Sequence, residues 1–102
     1  MSTYENALET VYAAIDAVNR QLPPDSRLKK RAETRLIGAG STLDSLGLIN
    51  FVVACEQAVE DKLGMSISLT DEALMADSEG PLQSVRSLAD FLAHRISEKT
   101  SE

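Results

Sequence analysis

The residue best placed for chemistry in this chain is a serine at the start of an apolar stretch. Asp44 is a good helix N-cap, because its carboxylate can accept a hydrogen bond from a backbone N–H one turn in, so we predict a helix that begins at or beside Ser45. Ser45 would then lie at the positive end of the helix dipole. An anion attached to its oxygen is stabilised at such a position. The position therefore suits a phosphate ester.

The other reactive residue types lack the neighbours that catalysis or metal binding needs. A G-x-S-x-G nucleophile elbow would use Gly47, but Leu43 stands at the first glycine position and no strand precedes it. Cys55 falls in register with the buried face of the predicted helix and has no histidine nearby, so we expect a core residue. His94, the only histidine, falls off the apolar face of the last predicted helix. Without a paired His or Cys motif we expect neither a metal site nor intrinsic catalysis.

Length and composition predict one compact domain covering residues 1–102. A hydrophobic content of 43% is enough to fill a modest core. Aromatic residues make up 4% and tryptophan is absent, so the core should consist of Leu, Ile, Val and Ala packed between helices. The formal net charge of −6 disfavours nucleic-acid binding and favours encounters with basic partners.

The sequence also indicates the cellular compartment in which the protein is expected. A single cysteine cannot form an intrachain disulfide, and residues 1–9 lack the charged start and apolar run of a signal peptide. No stretch approaches the apolar length that crosses a bilayer. We therefore expect a soluble, cytoplasmic protein without stable membrane insertion.

Charge is unevenly distributed along the chain. Between residues 36 and 85 there are eight acids and one base, so Ser45 lies in the acidic part. A basic cluster precedes this part and is opposed locally only by Glu33; it contains Arg27, Lys29, Lys30, Arg31 and Arg35. Such a cluster could contact a membrane surface or an acidic partner, although short basic loops are more often simply solvated.

Apolar periodicity and capping residues predict an all-α, four-helix bundle. The helices span about residues 3–21, 45–63, 70–75 and 84–96, with a frayed tail over 97–102. Pro23 ends the first helix, Gly64 follows the second, and Ser84 caps the last. In the long first connection, Leu36 and Ile37 should pack against the core. The second helix is so rich in apolar residues that we expect it to be the most buried element.

The tripeptide Asp44-Ser45-Leu46, opening an apolar helix near the middle of a small acidic chain, resembles the acyl carrier protein family. The likeness runs from about Leu36 to Ile96. It continues in the second helix, where Glu56 falls on an acidic position of the family. The residues that fall on the family's apolar face are Leu46, Ile49, Val52, Ala54, Cys55 and Val59. The short segment after this helix and the last helix follow in the family's order.

The resemblance implies a carrier that is modified at Ser45 by 4'-phosphopantetheine from coenzyme A and holds an acyl group as a thioester on that arm. Asp44 and Leu46 flank the attachment site. The implied partners are a phosphopantetheinyl transferase, an acyl- or aminoacyl-activating ligase, and downstream transferases or synthases. We expect a monomer that docks these partners through acidic and apolar residues of the second helix, namely Glu56, Glu60 and Val53.

The start of the second helix departs from the fatty-acid carriers, which are acidic immediately after the serine. This chain has Gly47, Leu48 and Asn50 there, and Gln57-Ala58 in place of a further acidic run. We therefore expect a specialised lipid or polyketide pathway rather than housekeeping fatty-acid biosynthesis. An aminoacyl or peptidyl carrier of a nonribosomal peptide pathway is the alternative within the family. An unmodified helical module that binds a partner through the same face is the alternative outside it.

Overall fold

A computed structural model of the chain describes residues 3–37, 43, 45–64, 66, 80 and 82–100. Within these ranges there are three α-helices: α1 (Thr3–Asn19), α2 (Ser45–Leu63) and α3 (Val85–Thr100). A short 3-10 turn, Pro24–Ser26, follows α1. The described part contains no strand, only one isolated antiparallel bridge between Arg35 and Ser84. The all-α prediction is confirmed. The fourth helix predicted over 70–75 lies outside the described residues.

The first helix ends at Asn19 rather than near residue 21. Its buried residues recur at helical spacing and include Val11, Ala14, Ile15 and Val18. Beyond Asn19 the backbone tightens, since Gln21 N–H donates to the Val18 carbonyl at 3.0 Å in a bond that spans three residues. Pro23 and Pro24 have no N–H to donate, so the α-helix does not resume, and only the short 3-10 turn follows.

The bounds predicted for the second helix are confirmed. α2 begins at Ser45 and ends at Leu63. Gly64 follows with a positive φ of 64°, and its N–H donates to the Glu60 carbonyl at 3.1 Å. A residue with a side chain is strained in this left-handed conformation, which explains why glycine ends this helix.

The cap predicted for the last helix is confirmed, and its end is corrected. Ser84 N–H donates to Ser87 Oγ at 2.9 Å, while Ser87 N–H donates to Ser84 Oγ at 3.3 Å. This reciprocal pair is a capping box. The helix then continues to Thr100, so residues 97–100 are not the frayed tail that we predicted. The apolar pattern stops at Ile96, but no proline or glycine follows to end the helix.

The core lies between α1 and its two neighbours, since α1 packs against both α2 and α3. The connections contribute as well: Leu28, Leu36 and Leu82 are buried, and Ile37 packs against the core. The prediction for Leu36 and Ile37 is confirmed. In the described ranges, no helix has the length and apolar character needed to cross a membrane.

Candidate functional site

The predicted attachment residue lies at the first position of α2. Ser45 begins the helix, and Leu46 and Gly47 complete its entry. Leu43, two residues before Ser45, packs against the core, and Leu48, three residues after Ser45, is 7% exposed. The direction of α2 at Ser45 is therefore set by apolar packing. Asp44, the predicted N-cap, lies outside the described residues.

The electrostatics at this position favour an anion. The first turn of α2 contains no acidic residue. The first N–H groups of a helix have no intrahelical acceptors and carry the positive end of the macrodipole. A phosphodiester linked to the first residue would meet these groups without an acidic side chain from the first turn nearby.

Three large apolar side chains of α2 face solvent. Leu46 is 67% exposed, Ile49 43% and Val53 46%. We call these three residues the exposed stripe. They are spaced three and four residues apart, so they share one side of the helix, and Ser45 precedes Ile49 by one turn. The expectation that α2 would be the most buried element is therefore wrong on this side.

The opposite side of α2 packs into the core and includes Phe51, which the sequence analysis did not name. Phe51 is fully buried, and Leu48 is nearly so. Together with Val52, Cys55 and Val59, they follow the spacing of three and four residues that marks a buried helix face. This spacing was visible in the sequence. It was obscured because apolar residues also occupy the exposed stripe.

The predicted acidic docking residues continue the exposed stripe along α2. Glu56 follows Val53 by three residues and Glu60 follows Glu56 by four, so both extend the same side of the helix. Glu56 is half-buried and Glu60 is exposed. One face thus runs from Ser45 through apolar side chains to acids. Val53, Glu56 and Glu60 lie on this one side of α2, and their role in docking stays a prediction.

A groove of about 460 Å³ runs between α1 and α2 beside the exposed stripe. Val53 belongs to both the exposed stripe and the lining of this groove. The apolar part of the groove is formed by Val18, Val53 and the alanines at positions 13, 17, 54 and 58. Its polar part is formed by Arg20, Gln21, Asn50, Gln57, Asp61 and Lys62. This mixed lining differs from the dry apolar pocket that a long alkyl chain requires.

Cys55 is a core residue, as predicted. Its side chain is fully buried, and burial together with the nearby Glu56 carboxylate raises the pKa of the thiol to about 12. The thiolate is the reactive form of cysteine, so this thiol is not a nucleophile at neutral pH. His94 is exposed, also as predicted. Over the described ranges, no group of three or more His, Cys, Asp or Glu residues is arranged to hold a metal ion.

No protein-family model, curated protein or solved structure matches this chain. The features of this chain that bear on its function are the exposed face of α2 and the tripeptide Asp44-Ser45-Leu46.

Proposed function

We propose that this protein is an acyl carrier protein, modified at Ser45 with 4'-phosphopantetheine. The observation that carries the proposal is the position of Ser45 as the first residue of α2, at one end of a face that continues with the exposed stripe and then Glu56 and Glu60. A carrier needs these two features together: a hydroxyl at a helix N-terminus for the phosphate, and a docking surface beside it.

The modification is a phosphoryl-group transfer from coenzyme A. A bond forms between Ser45 Oγ and the phosphorus of the pantetheine phosphate, and the pyrophosphate bond of coenzyme A breaks. Adenosine 3',5'-bisphosphate leaves, and the hydroxyl proton passes to a base of the transferase. The chain's own contribution is to place Ser45 at the first position of α2, where the helix dipole would stabilise the phosphodiester by on the order of 0.3–1 kcal/mol.

The exposed stripe supports reversible docking of several enzymes. Three apolar side chains are fewer than a stable interface normally buries, so each complex should be weak. Glu56 and Glu60 would meet basic residues around the partner's apolar patch, which speeds encounter and makes it salt-sensitive. A tether then holds the bound acyl group at high effective concentration in the partner's active site.

Enzymatic modification followed by mass spectrometry tests the proposal. The full chain is incubated with coenzyme A and a broad-specificity phosphopantetheinyl transferase, and its intact mass is measured. We expect one phosphopantetheine adduct, lost in Ser45→Ala and kept in Ser66→Ala, which removes an exposed hydroxyl just beyond α2. A folded protein whose mass stays unchanged would favour the unmodified interaction module instead.

An aminoacyl or peptidyl carrier is the second candidate. It is favoured by the first turn of α2, which lacks the acids of the fatty-acid carriers that the chain resembles, and by the polar part of the α1–α2 groove. Both carriers use the same arm on Ser45. Incubating the modified protein with acyl- and aminoacyl-activating ligases and then weighing the thioester distinguishes them.

A further inference from the structure

The basic cluster that precedes α2 belongs to a loop held in place at both ends. The side-chain amide of Asn19 donates to the Leu28 carbonyl at 2.9 Å, and its oxygen accepts from Leu28 N–H at 2.9 Å. At the other end, Leu36 is fully buried and its N–H donates to the Gln83 carbonyl at 3.0 Å. The segment between is therefore a fixed part of the fold rather than a freely solvated linker.

The start of α3 fixes the middle of the same loop. Val85 N–H donates to the Thr34 carbonyl at 2.9 Å, and Arg86 N–H donates to the Ala32 carbonyl at 2.8 Å. These bonds use N–H groups at the first helical positions, which lack acceptors within the helix. Thr34 Oγ also donates to the Lys29 carbonyl at 2.8 Å, which closes the loop on itself.

This loop surrounds a pocket of about 380 Å³ with a strong excess of positive charge. Four cations line it, from Arg27, Lys29, Arg31 and Arg35, against one acid, Glu33. Lys30 belongs to the same basic cluster but does not line the pocket, and its ammonium pairs with Asp16 at 3.3 Å. Lys30 therefore pairs with an acid of α1, whereas the other four basic residues line one pocket.

Two of the arginines that line the pocket have N–H donors that the described residues leave without an acceptor. Arg27 is fixed by its Nε, which donates to the carbonyls of Asn19 and Leu22 at 3.1 and 3.2 Å, so those two bonds leave its terminal nitrogens unused. Arg35 Nε is buried and has no hydrogen-bond partner among the described residues. A buried charged donor without an acceptor is unfavourable, and an anion oxygen would remove that penalty.

We propose that the pocket formed by Arg27, Lys29, Arg31 and Arg35 binds the phosphate group of a small molecule. Guanidinium groups bind phosphate oxygens through paired N–H donors, and a phosphate dianion balances more of this charge than a monocarboxylate does. The pocket volume is at the lower end of small-ligand sites, roughly 300–1,000 Å³. The net charge of −6 opposes long-range attraction of polyanions such as nucleic acid.

The proposal is tested by titrating the full chain, labelled with ¹⁵N, with inorganic phosphate and with glycerol 3-phosphate. Sodium chloride and acetate at matched ionic strength are the controls. We expect saturable shifts of the amide signals of residues 29–35 with the phosphates alone. In a second assay the protein is sedimented with phosphatidylcholine vesicles that contain phosphatidic acid. If the wild type sediments with the vesicles and Arg31→Gln does not, the bound phosphate belongs to a lipid headgroup. Saturable binding of glycerol 3-phosphate without sedimentation identifies a soluble phosphate.

Matched variants decide whether the pocket is responsible. Arg35→Gln should weaken glycerol 3-phosphate binding by about tenfold or more, as expected for loss of charged hydrogen bonds. Lys30→Gln removes the same charge from the same loop and should leave binding nearly unchanged. If Arg35→Gln does not fold, Arg31→Gln and Lys29→Gln replace exposed side chains and should weaken binding several-fold. Shifts that never saturate, or an equal loss in Lys30→Gln and Arg31→Gln, would overturn the proposal.

Discussion

Asn19, the last residue of α1, holds the backbone of Leu28 with both its side-chain oxygen and its side-chain nitrogen, each at 2.9 Å. The two bonds bring the chain back against the helix it has just left. Leu28 is 6% exposed as a result. The end of α1 and the basic loop are thus coupled through one amide.

Replacing Asn19 by alanine should destabilise the protein by about 2 kcal/mol, because it removes two hydrogen bonds and leaves partly buried backbone groups of Leu28 unsatisfied. Urea unfolding followed by circular dichroism measures the change. Asn19→Asp keeps the acceptor for Leu28 N–H and should cost less than the alanine variant. Equal stability of wild type and Asn19→Ala would show that the two hydrogen bonds between Asn19 and Leu28 contribute nothing to the free energy of unfolding.

The two sides of α2 should respond differently to truncation. Phe51→Ala should cost about 3–5 kcal/mol, because Phe51 is fully buried and its removal leaves a cavity. Val53→Ala should change stability by no more than about 0.5 kcal/mol, since Val53 lies in the exposed stripe. Thermal or urea unfolding of both variants checks this contrast. Similar losses in the two would contradict the assigned orientation of α2.

The buried thiol makes a defined contribution to the pH dependence of stability. Folding raises the pKa of Cys55 from its usual 9.0 to about 12, because burial and Glu56 disfavour the thiolate. Between these values the unfolded chain releases the proton and the folded chain keeps it. Stability should therefore fall as pH rises through this window, with a slope of about 1.4 kcal/mol per pH unit from this group.

Cys55→Ala provides the comparison, because it removes this titration and leaves the other groups in place. The difference in free energy of unfolding between wild type and Cys55→Ala, measured by urea unfolding, should be constant below pH 9. Above pH 9 the wild type should lose stability relative to Cys55→Ala. A difference that stays constant up to pH 11 would mean that the thiol is not desolvated in the folded state.

Much of this architecture followed from local signals in the sequence, and the rest depended on contacts between distant segments. Ser45 and Leu63 were located as the ends of α2 because a capping residue precedes one and Gly64 follows the other. The hydrogen bonds from Asn19 to Leu28 span nine residues of an irregular connection, and the Arg35–Ser84 bridge joins residues 49 positions apart, so no helical or strand periodicity encodes either.

The main error in the prediction for α2 was the expectation that it would be the most buried element. Apolar residues occur around most of this helix, so periodicity alone did not identify the solvent-facing side. Packing against α1 determines which side of α2 faces solvent, because it buries Phe51 and leaves Leu46 exposed. Exposed apolar residues such as those of the proposed docking surface break the ordinary pattern of burial, so periodicity does not identify them.

The acids of α2 should contribute to the rate at which a transferase modifies the protein. Glu56→Gln combined with Glu60→Gln should lower kcat/KM several-fold at low salt and reduce its salt dependence, because long-range attraction is lost. Glu9→Gln, which removes an exposed acid of α1, is the control and should have little effect. A salt dependence that is unchanged in the double variant would exclude these acids from docking.

The attachment site itself is tested most directly by peptide mapping after modification. Trypsin cleaves after Arg35 and Lys62, so one peptide spans residues 36–62 and contains both Ser41 and Ser45. Tandem mass spectrometry of this peptide, after incubation with coenzyme A and the transferase, should place a single phosphopantetheine on Ser45. An adduct on Ser41, or a folded protein with no adduct, would contradict the account.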